Sequence, residues 1–210
     1  MPSKPKQSNP GDINKVSQMD ICQTPPHAIE PLLKYIPNDW VIWESACGPD
    51  QLLVTAFNSH GYTVIASDLL HGTEFNRFTY KPRGLNYDIE ITNMPFSIKY
   101  KWLKQSFEDG KPFALLAPYE TTFAKEFQLL FRQYNGSPHV IEILSPERRI
   151  NFKMPNKGWG VNGNSSAQFP TVWITQGLNV HKKVDMDNIL FTYYVSMRSV
   201  KYNNETNEEL

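Results

Sequence analysis

The sequence predicts an α/β fold: one domain on a doubly wound, largely parallel sheet with helices on both faces. Three observations predict it. Short apolar segments of strand character alternate with longer segments that repeat apolar residues at helical spacing, from Trp40 to Leu144. A glycine turn at Cys47-Gly48 links the first strand to its helix, and a carboxylate, Asp68, follows the second strand twenty positions later. Two further strand-like segments, 171–176 and 188–197, come after the alternation stops, which brings the expected strands to seven.

Composition bounds the function. The chain has 210 residues, 40% apolar and 20% charged, enough for one sizeable core and unlike a disordered chain. Lysine plus arginine equals aspartate plus glutamate at 21 each, so net charge gives no support to nucleic-acid binding, and such binding needs a local basic patch. Two cysteines, Cys22 and Cys47, make no disulfide framework and fit a reducing cytoplasm. No apolar run approaches about 18 residues, so neither a membrane span nor a signal peptide is expected.

Residues 1–19 mix Pro, Ser, Asn, Gly and Lys with no apolar period, as a flexible arm does. Lys4, Lys6 and Lys15 make it mildly basic, which suits a solvated tail or an arm on nucleic acid. The domain spans 20–200. Thr24-Pro25-Pro26 stops the arm, with Thr24 able to cap the helix expected over 27–35, where Ala28, Ile29, Leu32, Leu33 and Ile36 recur at helical spacing. A buried strand over 40–43 leads into Glu44-Ser45-Ala46-Cys47-Gly48-Pro49-Asp50, then an amphipathic helix over 51–60 that Gly61 ends. Gly48, having no Cβ, lets backbone approach a ligand closely. The strand over 62–66 ends in Ser67-Asp68-Leu69. An acid at that position holds ribose hydroxyls in nucleotide-binding sheets, or is a solvated loop acid.

A polar link over 77–85 precedes a strand over 86–91, which delivers Ile91-Thr92-Asn93-Met94-Pro95-Phe96-Ser97. In open α/β sheets ligands sit at the carboxyl ends of strands. There the Asn93 carboxamide oxygen and the Met94 carbonyl could accept both N–H bonds of an amine such as adenine N6. Those bonds favour its pyramidal, nucleophilic form, and Phe96 could stack on the ring. A helix over 99–107 closes at Asp109-Gly110, and 112–117 is a central buried strand. A helix over 122–134 places Phe123, Phe127, Leu130 and Phe131 on one face, and 139–144 is a strand. The segment 146–170 has no period and carries Arg148, Arg149, Lys153 and Lys157 with Phe152 and Trp159 interleaved. Cations among aromatics suit a phosphate-and-base surface, and scattered surface charge is the alternative. Residues 201–210 form a flexible acidic tail. The five histidines share no ligand spacing, so no metal site is expected.

Four features carry a family resemblance that covers Gln23 to about Gly177. Thr92 to Ser97 resembles the (Asn/Asp)-Pro-Pro-(Tyr/Phe) motif of S-adenosylmethionine-dependent amino methyltransferases, with Met94 in place of the first Pro. Glu44 to Asp50 resembles that group's (Glu/Asp)-Pro-Ala-Cys-Gly-x-Gly cofactor motif. Glu44, Ala46, Cys47 and Gly48 match, and Ser45 and Asp50 depart. Thr24-Pro25 before a helix and Asp68 after the second strand are similar to two further cofactor-binding features. Among such enzymes the chain most resembles small phage-type DNA adenine-N6 methyltransferases.

The resemblance implies a Rossmann-like class I methyltransferase fold with a mostly parallel seven-stranded sheet whose last strand is antiparallel. It implies S-adenosylmethionine held by Thr24, Pro25, Glu44, Ala46, Gly48, Asp68, Leu69 and Asn93, with Glu74-Phe75 beside its adenine. Asp50 would cap the helix or pair with the cofactor's ammonium. Catalysis falls to Asn93, Met94, Pro95 and Phe96. The partner is nucleic acid, DNA favoured over RNA, met by Arg148, Arg149 and Lys153. A protein glutamine amide suits the same motif. The departures at Asp50 and Met94 keep open a non-catalytic binding or regulatory module on this fold.

Overall fold

The computed structural model describes residues 20–70, 76–79, 84–134, 140–154, 158–159, 170–183 and 192–195. The arm, the Glu74-Phe75 pair, Lys157 and the tail lie outside the described residues. The strands, in chain order, are β1 (Val41–Glu44), β2 (Thr63–Ala66), β3 (Ile89–Asn93), β4 (Phe113–Pro118), β5 (Ile141–Leu144), β6 (Lys153–Met154), β7 (Gly158–Trp159), β8 (Thr171–Gln176) and β9 (Thr192–Val195). The helices are α1 (Glu30–Leu33), α2 (Leu52–Ser59), α3 (Lys99–Asp109), α4 (Lys125–Tyr134) and α5 (Val180–Lys183).

Seven of these strands form one sheet in the order β2-β1-β3-β4-β8-β5-β9. The pairs β1–β2, β1–β3 and β3–β4 are parallel, while β8 runs antiparallel to both β4 and β5, and β9 antiparallel to β5. The sheet is Rossmann-like, and both late strands oppose the other five, not the last alone. β8 is inserted between β4 and β5, and β9 takes the edge.

The pleat of β4 sorts the core. Phe113, Leu115 and Ala117 point to one face, where they pack with Trp102, Leu103 and Phe107 of α3 and Phe127 and Phe131 of α4. Ala114 and Leu116 point to the other, where they meet Leu32 of α1, and Leu53, Ala56 and Phe57 of α2. Every residue of β4 is buried, as expected of a strand covered on both sides.

Several boundaries differ from the sequence reading. The helix over 27–35 is a 3₁₀ turn at Pro26–Ile29 followed by one turn of α1, because Pro31 lacks the N–H a continuous helix needs and instead opens α1. Its amino-terminal cap is Pro25, with no side-chain bond, so Thr24 does not cap. The cap of α2 is Gln51 in the left-handed region at φ 48°, again without a side-chain bond, so Asp50 does not cap either. A 3₁₀ turn at Tyr119–Phe123 precedes α4, and the extended Ala124 (φ −69°, ψ 143°) separates them. Phe123 thereby leaves the face shared by Phe127 and Phe131 and is 68% exposed. The segment 146–170 is not structureless, since β6 and β7 pair antiparallel within it.

The expected polar link at Arg77 is a buried anchor. The Arg77 guanidinium is fully buried, 2.8 Å from Glu90 and 2.6 Å from Asp109, and donates to Ser106 Oγ at 3.0 Å. Glu90 also accepts from Ser45 Oγ at 2.6 Å and Trp102 Nε1 at 3.1 Å. Ser45, the departure from the cofactor motif, therefore ties the end of β1 to β3 and α3. Among the described residues no helix is long and apolar enough to cross a membrane.

Candidate active site

The sheet order reverses between β1 and β3, and their carboxyl ends open a crevice where α/β sheets bind ligands. Glu44 is the last residue of β1 and Asn93 the last of β3, so the strands themselves deliver both side chains. Asp68 follows β2. The loops are laced together, with Ser67 donating its N–H to the Glu44 carbonyl at 2.9 Å and Cys47 its N–H to the Ser67 carbonyl at 3.0 Å.

Gly48 sits at φ +63°, a conformation that glycine tolerates best, and donates its N–H to Asp68 Oδ2 at 2.8 Å. Leu70 donates its N–H to Asp68 Oδ1 at 2.7 Å. Asp68 is thus buried, with a backbone N–H on each carboxyl oxygen.

Glu44 is 1% exposed. Thr92 Oγ1 donates to its Oε1, while Oε2 is buried with no hydrogen-bond partner among the described residues. Burial pushes the carboxyl up to about 8 against the lowering effect of the Thr92 bond, and the charge of Asp68 adds to the rise. The Cys47 thiol is pushed up to about 12 by burial, then by Glu44 and Asp68, so it stays neutral and is no nucleophile at neutral pH. Asn93 Oδ1 is a second buried acceptor without a partner among the described residues.

Both orphaned acceptors belong to residues that line one cleft of two chambers. The larger, about 400 Å³ including space open to solvent, is bounded by Asp20, Gly48, Asp68, Leu69, Asn93 and Pro95. The smaller, about 230 Å³ on the same measure, is bounded by Thr24, Glu44, Cys47, Leu52 and Asn93. Cys22, Gln23 and Ala46 line both. The roof is a strap of residues 20–24. Asp20 accepts from Ser97 N at 3.2 Å and Ser97 Oγ at 2.5 Å. Gln23 and Lys153 exchange backbone hydrogen bonds of 2.9 and 2.8 Å.

Thr24, Glu44, Ala46, Gly48, Asp68, Leu69, Asn93 and Pro95 come together around the cleft. Pro25 is buried behind the strap and does not line it. Met94 turns its side chain into the core beside Ile98 and Trp102, 1% exposed, which leaves only its backbone for chemistry. Phe96 does not line the cleft and stands edge-on to the buried Phe152, with ring centroids 6.4 Å apart. Asp50 and Lys153 form an ion pair at 2.6 Å, so each already has an opposite charge. Arg148 and Arg149 are exposed before this contact. Asp20, Cys22 and Gln23 were not anticipated. Their place depends on a bridge between Gln23 and Lys153, residues 130 positions apart, which no local pattern encodes.

The donor set fits S-adenosylmethionine. Asp68 can accept from hydroxyls, Glu44 Oε2 can face an ammonium, and Gly48 has no Cβ, although the Gln23 carboxamide covers it. No family model and no curated protein matches the sequence. Among solved structures, the chain is similar to a Listeria monocytogenes protein described as a candidate class I S-adenosylmethionine-dependent methyltransferase, at 12% identity and a TM-score of 0.45 over 78% of this chain and 63% of that one. It is also similar to precorrin-6y C5,15-methyltransferase from Geobacter metallireducens, at 10% identity and a TM-score of 0.38 over 71% of this chain and 86% of that one. The chain thus spans less than two thirds of the Listeria protein's length.

Proposed function

We propose that the protein is an enzyme that transfers a methyl group from S-adenosylmethionine to an exocyclic amine, with adenine N6 of DNA as the favoured substrate and RNA as the second. One observation carries this reading: Glu44 and Asn93, from adjacent strand ends, each hold a buried acceptor oxygen without a partner on the same cleft. A buried unsatisfied acceptor costs about 1–3 kcal/mol, a cost that a ligand's donors would relieve.

The cofactor, when bound, supplies a methyl group already activated on a sulfonium. The residues supply binding and orientation. Asp68 takes the ribose hydroxyls, and Glu44, protonated at neutral pH in the free protein, takes the ammonium as that charge drives its proton off to solvent. Asn93 Oδ1 and the Met94 carbonyl accept the two N–H bonds of the amine, which draws its lone pair out of conjugation and aims it into the cleft. Acceptors fixed at the end of a buried strand need little rearrangement. No strong base is required, because the proton can leave after transfer. Phe96 lies next to the lining Pro95 but outside the cleft, and it would have to turn off Phe152 to present its face to the base, which must be flipped out of a duplex. Arg148 and Arg149 meet phosphates.

The test is tritiated methyl incorporation into DNA, RNA and a glutamine-containing peptide. Asn93→Ala is expected to abolish transfer while still binding S-adenosylhomocysteine. Undiminished transfer in the variant would remove Asn93 from the chemistry. One observation favours a second reading, a non-catalytic binding module: Gln23 packs directly over Gly48, where a cofactor would lie. A parent protein that binds nucleic acid, yet neither binds S-adenosylhomocysteine nor labels any of the three substrates, would establish that reading instead.

A further inference from the structure

Gln23 occupies an unusual place. Its side chain lies so close to Gly48 that a Cβ there would stand 2.0 Å from Gln23 Nε2. The residue is 8% exposed, and it lines both chambers of the cleft. Its backbone cannot slide aside without breaking the two hydrogen bonds to Lys153, and Lys153 is held in turn by Asp50 at 2.6 Å. The side chain has no such restraint, because its carboxamide makes no hydrogen bond among the described residues.

Gln23 lines both the chamber of Asp68 and the chamber of Glu44, at a junction it shares with Cys22, Ala46 and Asn93. A ligand that reaches from Asp68 to Glu44 runs through that junction and over Gly48, where the carboxamide lies. A ligand confined to the end of the Asp68 chamber lined by Leu69 and Leu70 need not. From this we infer that Gln23 is a specificity-determining partition: its side chain must rotate off Gly48 before a ligand can span both chambers, so it selects by ligand length. The inference rests on the cofactor reading given above, since that reading supplies a nucleoside for one chamber and an amino-acid tail for the other. A single unbranched side chain can make the move by rotation about its own bonds while the strap stays pinned. The closed arrangement reduces the apparent affinity of a spanning ligand by the fraction of molecules that are open.

The probes are S-adenosylhomocysteine, which spans, and adenosine, which does not. Calorimetric titration of the parent, Gln23→Ala and Gln23→Ser measures both. Two variants guard against one that folds poorly, and each is first checked by its thermal unfolding without ligand. Both variants are expected to bind S-adenosylhomocysteine about tenfold more tightly than the parent and adenosine with parental affinity. Equal S-adenosylhomocysteine affinity in all three proteins would overturn the partition. Weaker binding in the variants would also overturn it, since Gln23 would then hold the ligand and not block it. An equal gain for both probes would mean that the carboxamide merely fills space. Absence of binding by either probe to any of the proteins would instead remove the cofactor reading itself, and the inference with it.

Discussion

Glu44 is a residue whose burial makes a measurable claim. Its carboxyl is raised from 4.5 to about 8, chiefly by burial, so the folded protein holds this proton more tightly than the unfolded chain does. The stability it contributes is fully present below pH 4.5 and is lost as pH rises towards 8, at about 1.4 kcal/mol for each pH unit crossed. Glu44→Gln keeps an acceptor for Thr92 and has no proton to lose. Its stability is therefore expected to gain on the parent's between pH 5 and pH 8, as urea unfolding at the two values would measure. Parallel pH profiles would show that Glu44 is ionised throughout. This carboxylate at the end of β1 was legible in the sequence because it stands at a motif position. The protonation was not, because it arises from the strand ends that enclose it. Met94 was legible as a departure from a motif, but its reason is a core contact with α3 that sequence spacing does not reveal.

At the scale of elements, Arg77 joins the segment 76–79 to β3 and α3 through charges removed from water. Arg77 is fully buried, and the side chains of Glu90 and Asp109 are 2% and 4% exposed. Removing the cation strands two carboxylates, so Arg77→Met is expected to cost about 3–5 kcal/mol in chemical denaturation. Adding Glu90→Gln should recover part of that loss. A single variant as stable as the parent would show that the carboxylates find other partners. The sequence reading placed Arg77 in a polar link because a charged residue between strands is usually solvated. Nothing local signals that Glu90 and Asp109 converge on it. The helical period of α4 was visible, whereas the break at Ala124 was not, and Phe123 therefore ended on the wrong side of the reading.

For the whole molecule, the alternating order of strands and helices was legible because each element carries its own periodicity. The direction of β8 and its place between β4 and β5 were set by pairing across the chain. On the proposed function, the exposed Arg148 and Arg149 belong to the local patch through which a neutral chain would bind nucleic acid. Replacing both by Gln is expected to weaken DNA binding at low salt and to reduce the slope of log affinity against log salt by roughly two. An unchanged slope would place the phosphate contacts elsewhere. The late arrival of β8 also affects how the chain is made. Pro118 ends β4, and its partner on that side begins only at Thr171. The ribosome adds roughly 5–20 residues per second, so the 52 residues between them take several seconds to synthesise. During that time one edge of Phe-Ala-Leu-Leu-Ala-Pro has no native neighbour, although β5, which natively pairs with β8 and β9, has already emerged. A nascent chain with an apolar strand edge open beside a strand of similar character invites premature pairing of β4 with β5 until β8 arrives to separate them.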